Sequence, residues 1–166
     1  VAERGAFIPL GERGSYEAGQ MATATNATPI VKDDRIYIFY SGLGGRMSIH
    51  SSGINLGTLR RDGYVSMDAA TGEGVLETKP LVPCGERFLV NCDAAAGRLE
   101  VEVCGERGEP LDGFSREDCE PLPADEIRHQ VRWKGGTNVA AAATGRPVRL
   151  RFFLANAQLY SFRFAV

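Results

Sequence analysis

Residues 147–166 read PVRLRFFLANAQLYSFRFAV. Val148, Leu150, Phe152 and Leu154 share one parity, and Arg149 and Arg151 take the other. After Ala155-Asn156-Ala157, Tyr160, Phe162 and Phe164 share a parity, with Ser161 and Arg163 opposite. Successive side chains of a strand point to opposite faces. The stretch therefore predicts a β-hairpin that closes a sheet with one buried face.

Upstream, the same period recurs. Arg87 to Asp93, Arg98 to Cys104 and Glu126 to Lys134 alternate apolar and polar residues, and Gly74 to Pro80 is a further strand candidate. Pro29 to Ser41 reads as a hairpin turning at Lys32-Asp33-Asp34, and Ile54–Arg60 with Tyr64–Asp68 as another, turning at Arg61-Asp62-Gly63. No stretch holds a helical period over three turns. Ala140 to Ala143 and Ser115 to Asp118 have room for a turn or two at most. Short strands, with 20 Gly and 8 Pro in 166 residues, predict an all-β antiparallel sandwich. Its core is expected to hold Phe88, Val90, Leu99, Val101, Val103, Val131, Trp133, Leu150 and Phe152.

The Gly-rich run Gly42 to Gly53 breaks the periodicity and sets an expected boundary, with one segment over residues 1–52 and a sandwich over residues 53–166. A few strands alone are marginal in water, so the first segment is expected to pack on the sandwich, on further chain, or on a second copy. The beginning, Val1-Ala2-Glu3-Arg4, lacks an initiator Met and a signal core, as expected of a processed chain or part of a longer one.

A net charge of −2 argues against nucleic acid and anionic membrane as partners, and no apolar run approaches the ~18 residues of a membrane span. Cys84, Cys92, Cys104 and Cys119 contain no CxxC pair, and two histidines complete a poor metal-ligand set, so neither metal nor cofactor is expected. The cysteines read as small buried residues, with a Cys92–Cys104 disulfide as the alternative. Asn26-Ala27-Thr28 fits a glycosylation acceptor of secreted proteins. Compartment stays open, an extracellular or periplasmic one included.

Several further stretches carry a resemblance. They are Ile54 to Ser66 with its Gly57-Thr58-Leu59-Arg60-Arg61-Asp62-Gly63, then Thr78-Lys79-Pro80-Leu81, Leu89-Val90-Asn91 and Gly113-Phe114-Ser115. Asp118-Cys119, Arg128-His129 through Trp133, and the terminal run follow in order. From residue 14 onward the chain resembles the end of bacterial glycoside hydrolases similar to the five-bladed β-propeller families 32 and 43. The resemblance implies a jelly-roll or concanavalin-like sandwich preceded by a remnant of the last propeller blade, Gly14 to Met21 and Tyr37 to Gly42. Where the family tends to have Asp followed by Ala-Gly-Met, this chain has Glu17 and an intervening Gln20. The resemblance also implies carbohydrate and an upstream propeller as partners. Glycoside hydrolysis needs two carboxyls at a fixed separation, which the family carries on earlier blades. No catalytic residue is therefore expected in this chain.

On that reading Tyr16, Glu17 and Tyr40 would line the sugar pore of the complete propeller, with Arg46 and His50 reaching it from the Gly-rich link. The alternatives are a loop acid, ordinary strand tyrosines and solvated linker residues. Ile127, His129, Val131 and Trp133 share a parity, which points to core rather than a sugar platform. Arg128 and Arg132 with Arg149 and Arg151 would form a basic face for anionic glycans if their strands were neighbours, unless Glu100 and Glu102 neutralise it. Three roles remain: an accessory module stabilising or completing a catalytic propeller, an autonomous carbohydrate-binding module, or a structural or self-associating domain.

Overall fold

The computed structural model describes residues 5–23, 28–44, 52–136 and 138–166. The chain forms two compact units, one ending at Arg61 and one beginning at Asp62, each built on one antiparallel sheet. Among the described residues, helix is confined to one 3-10 turn, Arg116–Asp118, and α1, Val139–Ala143.

The first unit holds β1 (Gln20–Thr23), β2 (Ile30–Lys32), β3 (Arg35–Leu43) and β4 (Ser52–Arg60). Asp33 and Asp34 both have positive φ, 49° and 60°, which matches the twist of a two-residue type I′ hairpin between β2 and β3. β1 and β2 pair with opposite ends of β3 along one edge, and β4 pairs with β3 along the other, from Arg35↔Arg60 to Leu43↔Ser52. The expected hairpin of Ile54–Arg60 with Tyr64–Asp68 does not form, although a turn at residues 61–64 does, with Asp62 at φ 57°. The turn residues reverse the chain locally, but both strands find longer partners elsewhere. The two units divide between Arg61 and Asp62.

The second unit holds β5 (Met67–Glu77), β6 (Arg87–Asp93), β7 (Arg98–Cys104), β8 (Asp125–Gln130) and β9 (Arg149–Ala165). The order is β5-β9-β6-β8, with β7 also on β9. The terminal run is one strand of 17 residues and not a hairpin. Its first half pairs with β7 and the end of β5, and its second half with β6 and the start of β5. Asn156, at φ 48°, marks the division. Opposite it, β5 inserts Ala70, Thr71 and Gly72, while Ala94 to Gly97 separates β6 from β7. At Gly97 a Cβ would run into the Ala155 carbonyl, so only glycine allows the approach. β5 and β9 thus break at the level where the chain passes from β6 to β7, and the sheet folds its two halves over a shared core.

That core is sandwich-like, and all nine expected residues lie in it. Phe88 of β6 meets Phe152 and Phe162 of β9 at ring-centroid distances of 6.4 and 5.9 Å. Trp133 is 4% exposed, packs on Phe88 and Phe114, and donates from Nε1 to the Val101 carbonyl at 2.7 Å. A buried indole N–H with a partner avoids the desolvation cost of an orphan donor. Cys92, Cys104 and Cys119 are buried free thiols, and Cys84 is exposed. Cys92 and Cys104 stand opposite Leu159 and Arg149, at different halves of β9, so the Cys92–Cys104 disulfide is not formed. Asn26 lies outside the described residues.

Candidate functional site

The register of β3 and β4 puts Tyr40 opposite Asn55 and Gly42 opposite Gly53, on one face of the first sheet. The loop before β1 crosses this face, tied down by Gly11 and Gly19 amides that donate to the Glu17 and Leu43 carbonyls at 3.2 and 3.0 Å. It delivers Tyr16 and Glu17. The Tyr16 hydroxyl donates to Asn55 Oδ1 at 2.6 Å, and the Tyr40 hydroxyl to Glu17 Oε1 at 3.3 Å. The Glu17 amide donates to Ser15 Oγ at 3.3 Å.

The two glycines form the shelf beneath. A Cβ on Gly42 would lie 2.8 Å from Glu17 Cγ, and one on Gly53 would lie 2.7 Å from the Tyr16 ring. Desolvation first, and the neighbouring Glu17 carboxylate second, raise the Tyr40 phenol above its ordinary value, so it remains a donor through neutral pH. Asn55 Nδ2 is buried without a hydrogen-bond partner among the described residues. The cluster therefore offers one carboxylate, two phenols and a spare amide donor. That set suits hydroxyl-rich ligands, with the carboxylate accepting from hydroxyls and the rings facing C–H groups.

Tyr16, Glu17 and Tyr40 are thus brought together, while Arg46 and His50 lie outside the described residues. Sequence reasoning missed Asn55. Its signal was available in β4, where Gly53, Asn55 and Gly57 share a parity against Ile54, Leu56 and Thr58.

The arginines do not make a basic face. In β9, Arg151 reaches Glu102 and Glu77 at 2.6 and 2.8 Å, and Arg149 reaches Glu77 at 3.3 Å. Arg116, from the 3-10 turn, binds Glu73 at 2.6 Å and Glu100 at 2.7 Å while its guanidinium lies 4.2 Å from the Phe153 ring centroid. These partners hold the Glu73 and Glu77 carboxyls below the usual range, first through hydrogen bonds from Arg116 and Arg151 respectively. Arg128 sits on β8, which among the described strands pairs with β6 alone, away from Arg149 and Arg151. His129 is half-buried and meets Glu126 at 3.0 Å.

Two surface clefts of the second unit have volumes of about 460 and 390 Å³. The first is lined by residues such as Arg107, Glu109 and Arg146, and the second by residues such as Asp68, Asp93 and Gln158. Neither lining includes an aromatic ring. No protein-family model matches the chain, and neither does any curated protein or solved structure.

Proposed function

We propose that this chain is the accessory C-terminal portion of a glycoside hydrolase similar to the propeller families 32 and 43. In this reading the second unit is the sandwich that stabilises or completes the catalytic propeller, and the first is its last blade. The observation that carries the reading is the two-faced first sheet. One face carries the Tyr16–Glu17–Tyr40–Asn55 cluster. The other sets Phe39 beside Leu56 and Ser41 beside Ile54, with Ile30 opposite Tyr37, and leaves Phe39, Leu56, Ile54 and Ile30 exposed. A sheet with a polar cluster on one face and exposed apolar side chains on the other is suited to a place against a further layer, as in a propeller.

The burial of Trp133, the chain's one indole, favours an accessory role over an autonomous binding module with that ring as its sugar platform. The cluster contains a single carboxylate, Glu17, and glycoside hydrolysis uses two. In the parent protein this cluster would contact carbohydrate without performing the bond cleavage. The test is a hydrolase assay on the purified chain with a panel of glycans. The proposal expects no sugar release. Turnover that disappears in Glu17→Gln would overturn it.

A further inference from the structure

Among the described residues, the first sheet ends in an edge without a strand partner. β4 pairs with β3 on one side and with no described strand on the other. An open edge is a row of amide donors and carbonyl acceptors that templates another strand unless it is short, charged, bulged or interrupted by proline. The remaining edges of the two sheets carry such protection. β1 and β2 are 4 and 3 residues long. β5 is bulged between Ala69 and Glu73 and carries Asp68, Glu73 and Glu77; β7 carries Arg98, Glu100 and Glu102, and its outer main chain is bonded to Leu111, Phe114 and Leu122; β8 carries Asp125, Glu126 and Arg128 in 6 residues. β4 has none of these features. Over its 9 residues, SGINLGTLR, it contains no Pro, Lys or carboxylate, and its one charge is the terminal Arg60.

We infer that β4 is a self-association edge, and that its partner is β4 of a second copy of this chain. The strand is self-complementary. Its midpoint is Leu56, and antiparallel pairing about a two-fold axis there brings the full strand into register. Leu56 then faces its own copy, Asn55 faces Gly57, Ile54 faces Thr58, Gly53 faces Leu59, and Ser52 faces Arg60. No like charges meet, and Ile54, which is 84% exposed, gains a neighbour. Because Phe39 stands beside Leu56 within each sheet, the seam becomes a continuous apolar ribbon of Phe39, Leu56 and their copies. Such cross-strand pairs contribute about 0.2–1 kcal/mol each. The pairing uses an edge of the sheet and not its faces, so it stands independently of the hydrolase proposal.

Sedimentation equilibrium of the full chain over a concentration series should show a reversible monomer–dimer step. Leu56→Lys and Leu56→Glu should each lose it through like charges on the axis, and mixing the two variants should restore it. Register is read by cross-linking in a Cys84→Ser background, which removes the exposed native thiol. Leu56→Cys should form a disulfide dimer on mild oxidation, since opposed strand residues lie about 4.5–5.5 Å apart, within disulfide reach. Ile54→Cys alone should not, and Ile54→Cys with Thr58→Cys should. A chain that stays monomeric throughout overturns the inference. So does a dimer that Leu56→Lys leaves intact, or one in which Leu56→Cys cross-links no faster than Ile54→Cys.

Discussion

The Phe152 and Phe162 rings, ten positions apart on β9, have centroids 5.4 Å from each other. A straight strand would separate them by about 33 Å at ~3.3 Å per residue. Their contact is the signature of the bend at Asn156, and the core of the second unit depends on it. Asn156 also donates from Nδ2 to the Ala96 carbonyl at 2.7 Å, linking the bend to the break between β6 and β7.

Substitutions at this level should therefore separate by backbone conformation. Asn156→Val puts a β-branched residue at φ 48° and should cost about 1–2 kcal/mol, while Asn156→Gly keeps the conformation and loses mainly the side-chain hydrogen bond. Gly97→Ala drives a Cβ against the Ala155 carbonyl and should cost about 1–3 kcal/mol. Urea unfolding checks all three. Equal stability of Asn156→Val and Asn156→Gly would contradict the bend.

Trp133→Ala should cost about 3–5 kcal/mol, a large share of the ~5–15 kcal/mol that stabilises a domain. Trp133→Phe should be milder and should strand the Val101 carbonyl, costing about 1–3 kcal/mol. Since the chain has one Trp, native fluorescence should be blue-shifted and move red on unfolding. Native emission at a water-like wavelength would refute the burial.

The arginine–glutamate lattice predicts acid sensitivity. A carboxyl whose folded pKa lies below its unfolded value adds stability above the unfolded value and loses it as pH falls through the folded one. Glu73 and Glu77 both lie below the ordinary 4.5. Their contribution should be constant at neutral pH and fall away below about 4.5. Arg116→Met should flatten this decline. Thermal melts across a pH series, wild type beside variant, give the comparison, and parallel curves would remove the lattice from the explanation.

Thiol reactivity should divide sharply. Cys84 is exposed and should react promptly with a disulfide reagent in the native protein. Burial pushes Cys104 and Cys119 up to about 11, so both remain protonated and unreactive at neutral pH. Titration should count one fast thiol in the native state and four in denaturant. Two or more fast native thiols would contradict the packing around the core.

Within strands, the alternating pattern was a dependable guide. Arg98–Cys104 shows it in Leu99, Val101 and Val103, which are fully buried as their parity implies, whereas Arg87–Asp93 is buried on both parities because β6 lies between β9 and β8. Failures came where pairing is non-local. Ala155-Asn156-Ala157 has the local chemistry of a turn. Whether the chain reverses or merely bends depends on β5, β6 and β7, which lie far away in sequence. The same holds for Arg61-Asp62-Gly63, whose flanking strands pair with β3 and β9 instead of each other. In the site, the resemblance pointed to Tyr16, Glu17 and Tyr40; the parity of β4 separates Asn55 from its apolar neighbours, but the β3–β4 register is what sets it opposite Tyr40.

The cluster itself can be probed through Tyr40. Glu17→Gln removes the charge that opposes phenol ionisation, so the Tyr40 pKa should fall towards its ordinary value of 10.0, with the part due to desolvation remaining. NMR titration of the labelled tyrosines resolves it. An unchanged Tyr40 titration would break the link between the two residues.

The accessory role is tested most directly in the parent protein that the proposal requires. Calorimetric melting and glycan hydrolysis should be measured for that protein with and without residues 62–166. The account predicts that removing them lowers the melting temperature of the remaining portion and reduces hydrolysis. Melting and turnover that are both unchanged would contradict it.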